Sequence, residues 1–120
     1  MHMLSTAVPD DAIICIDIGQ NQMWAAQSLK IRGTQRLLTQ GGMAAMGSAL
    51  SMGIGAAFAQ PGKTIVVVTG DGGFQLNIQE LETLYHYQLP VKIVLLNNHC
   101  YGMVRQFQEQ YFSKRYQATV

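Results

Sequence analysis

Two short polar segments of this sequence carry residue types that bind a metal-bridged phosphate group. The first, Gly70-Asp71-Gly72-Gly73, directly follows the apolar run Thr64–Thr69. Glycines let the backbone approach a bulky anion, and the free N–H groups of a helix that begins there favour phosphate. Asp71 adds a carboxylate for the cation that accompanies a diphosphate, and Mg²⁺ prefers such oxygen ligands. Taken alone, however, the tetrapeptide is more typical of an ordinary strand-to-helix turn with an aspartate cap.

The second polar segment is Asn97-Asn98, which follows the next long apolar run, Val91–Leu96. By itself such a pair after a strand is commonly just a turn. A right-handed crossover, however, brings the ends of two parallel strands close together. Asn98 can then give a side-chain oxygen to the same ion as Asp71, and the backbone carbonyl of Cys100 can give another. The two segments together predict a Mg²⁺–diphosphate site far more specifically than either does alone.

The strands that must position these segments are short, and all but Arg36–Thr39 are apolar runs rich in β-branched residues. They are predicted at Ala12–Ile18, Arg36–Thr39, Thr64–Thr69 and Val91–Leu96. The runs are continuous rather than alternating, so both faces of each strand are expected to be buried, as in a parallel sheet. Ligands of such sheets bind beyond the carboxyl ends of the strands, where both polar segments lie.

Helices are predicted between the strands. Gln22–Lys30 and Met43–Ala59 form two of them, and the second ends at Gln60-Pro61-Gly62. Two more are marked by apolar residues at helical spacing: Ile78, Leu81 and Leu84 or Tyr85 in one, and Val104, Phe107 and Tyr111 in the other. The predicted fold is therefore α/β, a mostly parallel sheet flanked by helices on both faces. No element is predicted after Tyr116, so the domain is expected to be truncated.

Composition excludes several classes of protein. The 120 residues suit one domain, 1–120, with 12% charged residues and a net charge of +1. The sequence has no basic patch of the kind that binds nucleic acid. The uncharged segment Gly41–Gln60 is rich in Gly, Ala, Ser and Met, which favours a buried helix over a membrane span. Two cysteines and no signal-peptide pattern predict a reducing, cytoplasmic location. The low charge predicts exposed apolar surface and self-association.

The sequence around the two polar segments resembles one enzyme family. TGDGGFQLNIQELETLYHYQLPVKIVLLNNHCYGMVRQFQEQYF combines GDG with NN, and DIGQNQMWAAQ and LTQGGMAAMGSALSMGIGAAFAQPGKTIVVV lie upstream. These segments resemble the acetolactate synthase (acetohydroxyacid synthase) family, in its thiamine diphosphate-binding C-terminal domain. The resemblance runs from about Asp17 to the end of the chain.

The resemblance implies roles for individual residues. Asp71, Asn98 and the carbonyl of Cys100 are implied ligands of Mg²⁺, and the N–H groups of Gly72 and Gly73 would bind the diphosphate. Ala44 and Met46 are implied contacts of the aminopyrimidine ring, with the Met46 side chain supporting the bent form of the cofactor. The full set of implied cofactor-binding residues is Gln20, Asn21, Ala44, Met46, Gly70, Asp71, Gly72, Gly73, Asn98, Gly102 and Met103.

Four positions depart from the family's usual residues. The family commonly has His where this chain has Asn21, and Gly-Thr where it has Ala44-Ala45. It often has Trp at the position of Phe107, near where a second keto acid docks. Phe107 is therefore the implied substrate-contacting residue, although an aromatic residue at this spacing is equally typical of a helix core.

The resemblance also implies a reaction: decarboxylating condensation of two 2-keto acids in branched-chain amino acid biosynthesis, with thiamine diphosphate and Mg²⁺. It implies a catalytic glutamate that this chain lacks, because Glu80, Glu82 and Glu109 lie on predicted helices where surface ion pairing is expected. In the family that glutamate belongs to a pyrimidine-binding domain of a neighbouring subunit. We therefore predict a fragment of a larger homo-oligomeric enzyme, inactive by itself.

Three alternatives differ from this interpretation. A related 2-keto acid decarboxylase would share the cofactor loops but release an aldehyde. A non-catalytic subunit would contribute only the diphosphate half of a site. A nucleotide-binding α/β domain is disfavoured, because no G-x-G-x-x-G follows the first strand and no G-x-x-x-x-G-K-[ST] occurs.

Overall fold

The computed structural model describes residues 1–119, whose helices and strands alternate along the chain. The strands are β1 (Ile13–Ile16), β2 (Arg36–Thr39), β3 (Ile65–Gly70) and β4 (Val91–Leu96). The helices are α1 (His2–Ala7), α2 (Gln20–Ser28), α3 (Ser48–Ala59), α4 (Asp71–Leu76), α5 (Glu80–His86) and α6 (Gly102–Tyr111).

The strands form one parallel sheet in the order β2-β1-β3-β4. Ile16 is paired with Val68 across β1 and β3, and Gly70 with Leu96 across β3 and β4. The chain adds β2 on one side of β1 and then returns to add β3 on the other side. The carboxyl ends of β1 and β3 therefore flank a topological switch point, where a crevice opens in folds of this kind. The predicted α/β fold is confirmed.

Both faces of the central strands are covered, because their side chains alternate between two apolar clusters. One face of the sheet packs with residues of the α1 and α2 region through Ile14, Ile16, Val66 and Val68. The other face packs against α3 through Ile13, Cys15, Ile65 and Val67. Burial raises the pKa of the Cys15 thiol to about 11, so this cysteine is a neutral core residue.

Helix α3 owes its close packing to small residues. Its positions Ala49, Ala56 and Ala57 are buried against the sheet, and a side chain at Gly53 would collide with Val67. Within residues 1–119, every helix is too short or too polar to cross a membrane. The part of the uncharged segment that is helical, Ser48–Ala59, buries one face against the sheet, as its composition indicated.

Several local predictions were wrong. The helix predicted over Met43–Ala59 begins only at Ser48, because Gly47 adopts a left-handed conformation with φ 84° and residues 43–47 form a turn. The single helix expected between β3 and β4 is two short ones, α4 and α5, separated near Asn77, and α1 was not predicted. Strands β2 and β4 are edge strands with exposed positions, such as Leu95, so full burial holds only for β1 and β3.

Candidate functional site

The loops after β1, β3 and β4 enclose a cleft of about 210 Å³ at the switch point of the sheet. The turn over residues 43–47 forms a further wall. Every residue of the predicted cofactor set lines this cleft, together with Cys100: Gln20, Asn21, Ala44, Met46, Gly70, Asp71, Gly72, Gly73, Asn98, Gly102 and Met103. Residues that are far apart in the sequence thus meet at one place.

Three helices begin at this cleft. Gln20 is the first residue of α2, Asp71 of α4 and Gly102 of α6, and all three residues line the cavity. The first turn of a helix carries N–H groups without intrahelical partners and the positive end of the helix dipole. An anion in this cleft would therefore be stabilised from three directions.

The metal-ligand candidates Asp71 and Asn98 are direct neighbours. The backbone N–H of Asn98 lies 3.4 Å from Oδ1 of Asp71, because β3 and β4 are adjacent parallel strands that end together. The side-chain oxygen of Asn98 accepts a hydrogen bond from the backbone N–H of Cys100 at 3.2 Å. An amide oxygen has two lone pairs, so one remains for a cation.

Gln20 fixes the orientation of the Asn98 amide. The Nδ2 atom of Asn98 donates to Oε1 of Gln20 at 3.1 Å, which links the ends of β1 and β4 across the cleft. The carboxamide of Gln20 also occupies the space that a side chain at position 102 would need, so a larger residue there would displace Gln20. Gln20 is thus a structural support of the cleft as well as one of its lining residues.

Asn21 is more enclosed than the sequence indicated. It is buried, and its Nδ2 atom donates to the backbone carbonyl of Asp17 at 2.9 Å. Since the amide nitrogen carries two hydrogens, one remains for a ligand in the cleft.

Asp17 is a functional candidate that sequence reasoning missed. It is fully buried, and its carboxylate accepts hydrogen bonds from the backbone N–H of Gly47 and the hydroxyl of Thr69. A side chain at Gly73 would collide with this carboxylate, so the glycine permits a close approach. The available signal was an acidic residue within an apolar run, since such a residue is rarely buried without dedicated partners.

Trp24 and Tyr101 also line the cleft and were not singled out from the sequence. Trp24 is the single tryptophan of the chain, and it lies within α2 with 42% of its surface exposed. The ring of Tyr101 packs directly over Gly72, where a side chain would collide with it. Both rings are spectroscopic reporters of anything that enters the cleft.

Phe107 does not line the main cleft. It lies in a shallow groove between α2 and α6, which shares Gln20, Trp24 and Met103 with the cleft. Its side chain is 53% exposed and contacts the ring of Tyr111 at a centroid distance of 4.7 Å. Phe107 is therefore not a core residue, and its predicted contact with a keto acid stays a prediction.

The glutamates behave differently from one another. Glu109 pairs with Arg105 at 3.3 Å, as expected for a surface helix, and also accepts a hydrogen bond from the Tyr116 hydroxyl at 2.7 Å. Glu80 instead accepts a hydrogen bond from Thr83, and neither Glu80 nor Glu82 has a cationic partner within residues 1–119. None of the three glutamates lines the cleft described above.

The donor set of the cleft favours a hard cation. Within the described part of the chain, no three His, Cys, Asp or Glu residues cluster as a transition-metal site would require. The available ligands are the Asp71 carboxylate, the Asn98 amide oxygen and backbone carbonyls. Oxygen ligands of this kind, completed by phosphate and water, suit Mg²⁺.

Comparison with known proteins identifies relatives over nearly the whole chain. Residues 17–120 match the family model "Thiamine pyrophosphate enzyme, C-terminal TPP binding domain". The acetolactate synthase large subunit of Lactococcus lactis subsp. lactis is 48% identical over 110 residues, which are 92% of this chain and 19% of the relative. The acetolactate synthase isozyme 2 large subunit of Escherichia coli K12 is 44% identical over 119 residues, 99% of this chain and 22% of the relative. The chain thus spans about a fifth of the length of these curated relatives.

Proposed function

The chain belongs to the thiamine pyrophosphate enzyme family as a C-terminal TPP binding domain related to acetolactate synthase large subunits, and from that premise we propose that it forms the diphosphate- and Mg²⁺-binding half of an acetolactate synthase-like active site. The observation that carries the proposal is the contact between the Asp71 carboxylate and the backbone N–H of Asn98, which joins the ends of β3 and β4 at one point of the cleft that both residues line. The start of α4 lies beside them, so a metal-bridged diphosphate has both ligands and N–H donors.

In this proposal each wall of the cleft has its own task. Mg²⁺ would be held by Asp71, the Asn98 amide oxygen and the carbonyl of Cys100. The N–H groups of Gly72 and Gly73 would bind the diphosphate, with Gln20, Asn21 and the start of α6 on the opposite side. Ala44 and Met46, on the turn before α3, would contact the aminopyrimidine ring.

Bound thiamine diphosphate would supply the carbon nucleophile that makes decarboxylation of a 2-keto acid possible. The residues of this chain bind the cofactor, orient it and shield it. Among residues 1–119, Asp71 is the one acidic residue that lines the cleft, and in this proposal its carboxylate would hold the metal. We therefore infer that the proton-transferring glutamate comes from a pyrimidine-binding domain of another subunit and that this chain is inactive alone.

Two features support a covering partner. The cleft of about 210 Å³ is smaller than the roughly 300–1,000 Å³ of complete ligand pockets. Its rim is apolar, with Trp24, Met103 and Val104 each more than 40% exposed. A second subunit of a homo-oligomer would bury this rim and complete the pocket.

The proposed reaction is condensation of two 2-keto acids rather than simple decarboxylation, because the relatives described above are acetolactate synthases. The cytoplasmic location stays a prediction.

Calorimetric titration of the chain with thiamine diphosphate, with and without Mg²⁺, tests the proposal. We expect binding that requires Mg²⁺ and that is lost in Asp71→Ala. Asp11→Ala is the matched control, since Asp11 is exposed and precedes β1 at the opposite end of the sheet. Equal affinity of Asp71→Ala and the unmodified chain would contradict the metal site. Acetolactate formation by the pure chain with pyruvate would contradict the missing glutamate.

A further inference from the structure

We propose that Asp17 is a positioning residue that holds the turn over residues 43–47 against the diphosphate wall of the cleft. Through this turn, Asp17 would set the affinity for the thiamine portion of the cofactor and leave the diphosphate portion nearly unaffected. The identity of the ligand rests on the proposed function; the link between Asp17 and the turn rests on geometry alone.

The Asp17 carboxylate bridges segments that are distant in sequence. It is fully buried at the end of β1, and its Oδ1 accepts the N–H groups of Ile18 and Gly47, each at 2.9 Å. Its Oδ2 lies 3.1 Å from the same Gly47 nitrogen and accepts the hydroxyl of Thr69 at 2.7 Å. One side chain therefore ties together the ends of β1 and β3 and the residue before α3.

No cation balances this buried charge within the described residues, since the ion pairs there are Arg32–Asp10 and Arg105–Glu109. A buried carboxylate is costly unless hydrogen bonds compensate it, and here four contacts from N–H and O–H donors do so. An apolar residue would fill the same space without that cost. The distinctive contribution of Asp17 is therefore the set of positions that its hydrogen bonds impose.

The Gly47 peptide is the point at which the turn is fixed. Its N–H is bound by Asp17, and its carbonyl accepts a hydrogen bond from Nδ2 of Asn77 at 2.9 Å. Gly47 has a left-handed conformation, φ 84°, in which its N–H contacts Asp17 and its carbonyl contacts Asn77. Ala44 and Met46, which line the cleft, lie directly before this anchor.

The diphosphate wall does not depend on this anchor in the same way. It consists of the starts of α2, α4 and α6, which are set by the ends of three hydrogen-bonded strands. Loss of the Asp17 carboxylate would free the Gly47 N–H and let the turn move. The backbone ladder between β1 and β3, which includes the hydrogen bond from the Asp17 N–H to the Val68 carbonyl at 2.8 Å, would still hold the helix starts in place. A purely structural role would instead weaken binding of every ligand equally.

The test compares two ligands, thiamine diphosphate and inorganic pyrophosphate, each with Mg²⁺. In Asp17→Ala we expect affinity for thiamine diphosphate to fall about tenfold or more and affinity for pyrophosphate to change less than about threefold, because a buried donor loses its acceptor. The measured quantity is the ratio of the affinity for thiamine diphosphate to the affinity for pyrophosphate. Asp17→Asn keeps one oxygen for Gly47 and should restore most of this ratio. Thr69→Val, which removes the other donor to the same carboxylate, is the control and should leave the ratio unchanged.

Amide hydrogen exchange at Gly47 provides a readout that needs no ligand. We expect faster exchange in Asp17→Ala and protection in Thr69→Val and Asp17→Asn. If Asp17→Ala does not fold, Asn77→Ala decides the matter, because it frees the carbonyl end of the same peptide and should lower the ratio in the same direction. Equal losses for both ligands, or unchanged Gly47 exchange in a folded Asp17→Ala, would overturn the proposal. If the unmodified chain binds neither ligand, the proposed function fails, and Gly47 exchange still decides the role of Asp17.

Discussion

The backbone N–H of Asn98 faces the carboxylate of Asp71 across 3.4 Å, although 27 residues of sequence separate the two. The contact arises because β3 and β4 are parallel neighbours joined by α4 and α5, so their carboxyl ends lie side by side. Asp71 and Asn98 thereby line the cleft side by side.

Replacement of Asn98 by alanine should weaken Mg²⁺-dependent binding of thiamine diphosphate by at least about tenfold, because a ligand oxygen is lost together with its support from Gln20. Asn97→Ala is the matched control: Asn97 has the same chemistry, does not line the cleft, and accepts only the His99 N–H at 3.0 Å. Quenching of Trp24 fluorescence measures both affinities. Equal effects of the two substitutions would argue against Asn98 as a ligand.

Replacement of Gly73 by alanine should destabilise the chain by about 1–3 kcal/mol, as overpacking does, because the new methyl group meets the buried Asp17 carboxylate. Gly55→Ala is the control, since nothing lies within 4 Å of a side chain at that helical position. For Gly55→Ala we expect the free energy of unfolding to rise by roughly 0.5–1 kcal/mol, because alanine lowers the backbone entropy of the unfolded chain. Urea unfolding measures both. A stabilised Gly73→Ala variant would mean that the close contact with Asp17 is absent.

Replacement of Ala44 by glycine should stabilise the chain by up to about 1 kcal/mol. Ala44 has φ 53°, a left-handed conformation that costs an L-residue roughly 1–2 kcal/mol; glycine removes that cost but adds about 0.4–1 kcal/mol of unfolded-state entropy. Ala45, whose φ is not positive, is the control. Ala45→Gly should lower the free energy of unfolding, and a loss of the same size in Ala44→Gly would refute the left-handed assignment.

The Tyr116 hydroxyl, together with Arg105, holds the pKa of the Glu109 carboxyl below its usual range. A carboxyl group whose pKa is lower in the folded than in the unfolded state stabilises the fold at pH values above its unfolded-state pKa. This contribution disappears as the pH falls through the folded-state pKa. Tyr116→Phe should therefore raise the pKa of Glu109, measured by NMR titration. Any stability difference from the unmodified chain should be present at neutral pH and lost in acid.

Tyr111→Phe is the control for that titration, because the Tyr111 hydroxyl makes no hydrogen bond within residues 1–119 and its ring packs on Phe107. The pKa of Glu109 should be the same in this variant and in the unmodified chain. An unchanged Glu109 pKa in Tyr116→Phe would show that the contact at 2.7 Å does not persist in solution.

The sequence by itself determined the fold class and the set of candidate residues that meet in the cleft. Continuous β-branched runs such as Ile65–Gly70 are stable only when both faces are covered, which requires a parallel sheet between helices. The carboxyl ends of parallel strands share one edge, so Asp71 and Asn98 could be placed together from order and spacing. These are local properties: each depends on residues close together in the chain and on a general rule of chirality.

Tertiary structure alone decided the features that depend on contacts between distant segments. The sequence places Asp17 within an apolar strand, and only the fold reveals that Gly47 and Thr69 converge on its carboxylate. The turn that precedes Ser48 was likewise invisible, because its residues suit a helix and the hydrogen bond from Asn77 to Gly47 favours another conformation. The position of Phe107 outside the cleft follows from the placement of α2 and α6 on opposite sides of a groove. Hydrogen bonds and packing between remote residues outweigh local preference at these points, and no window of sequence contains both partners.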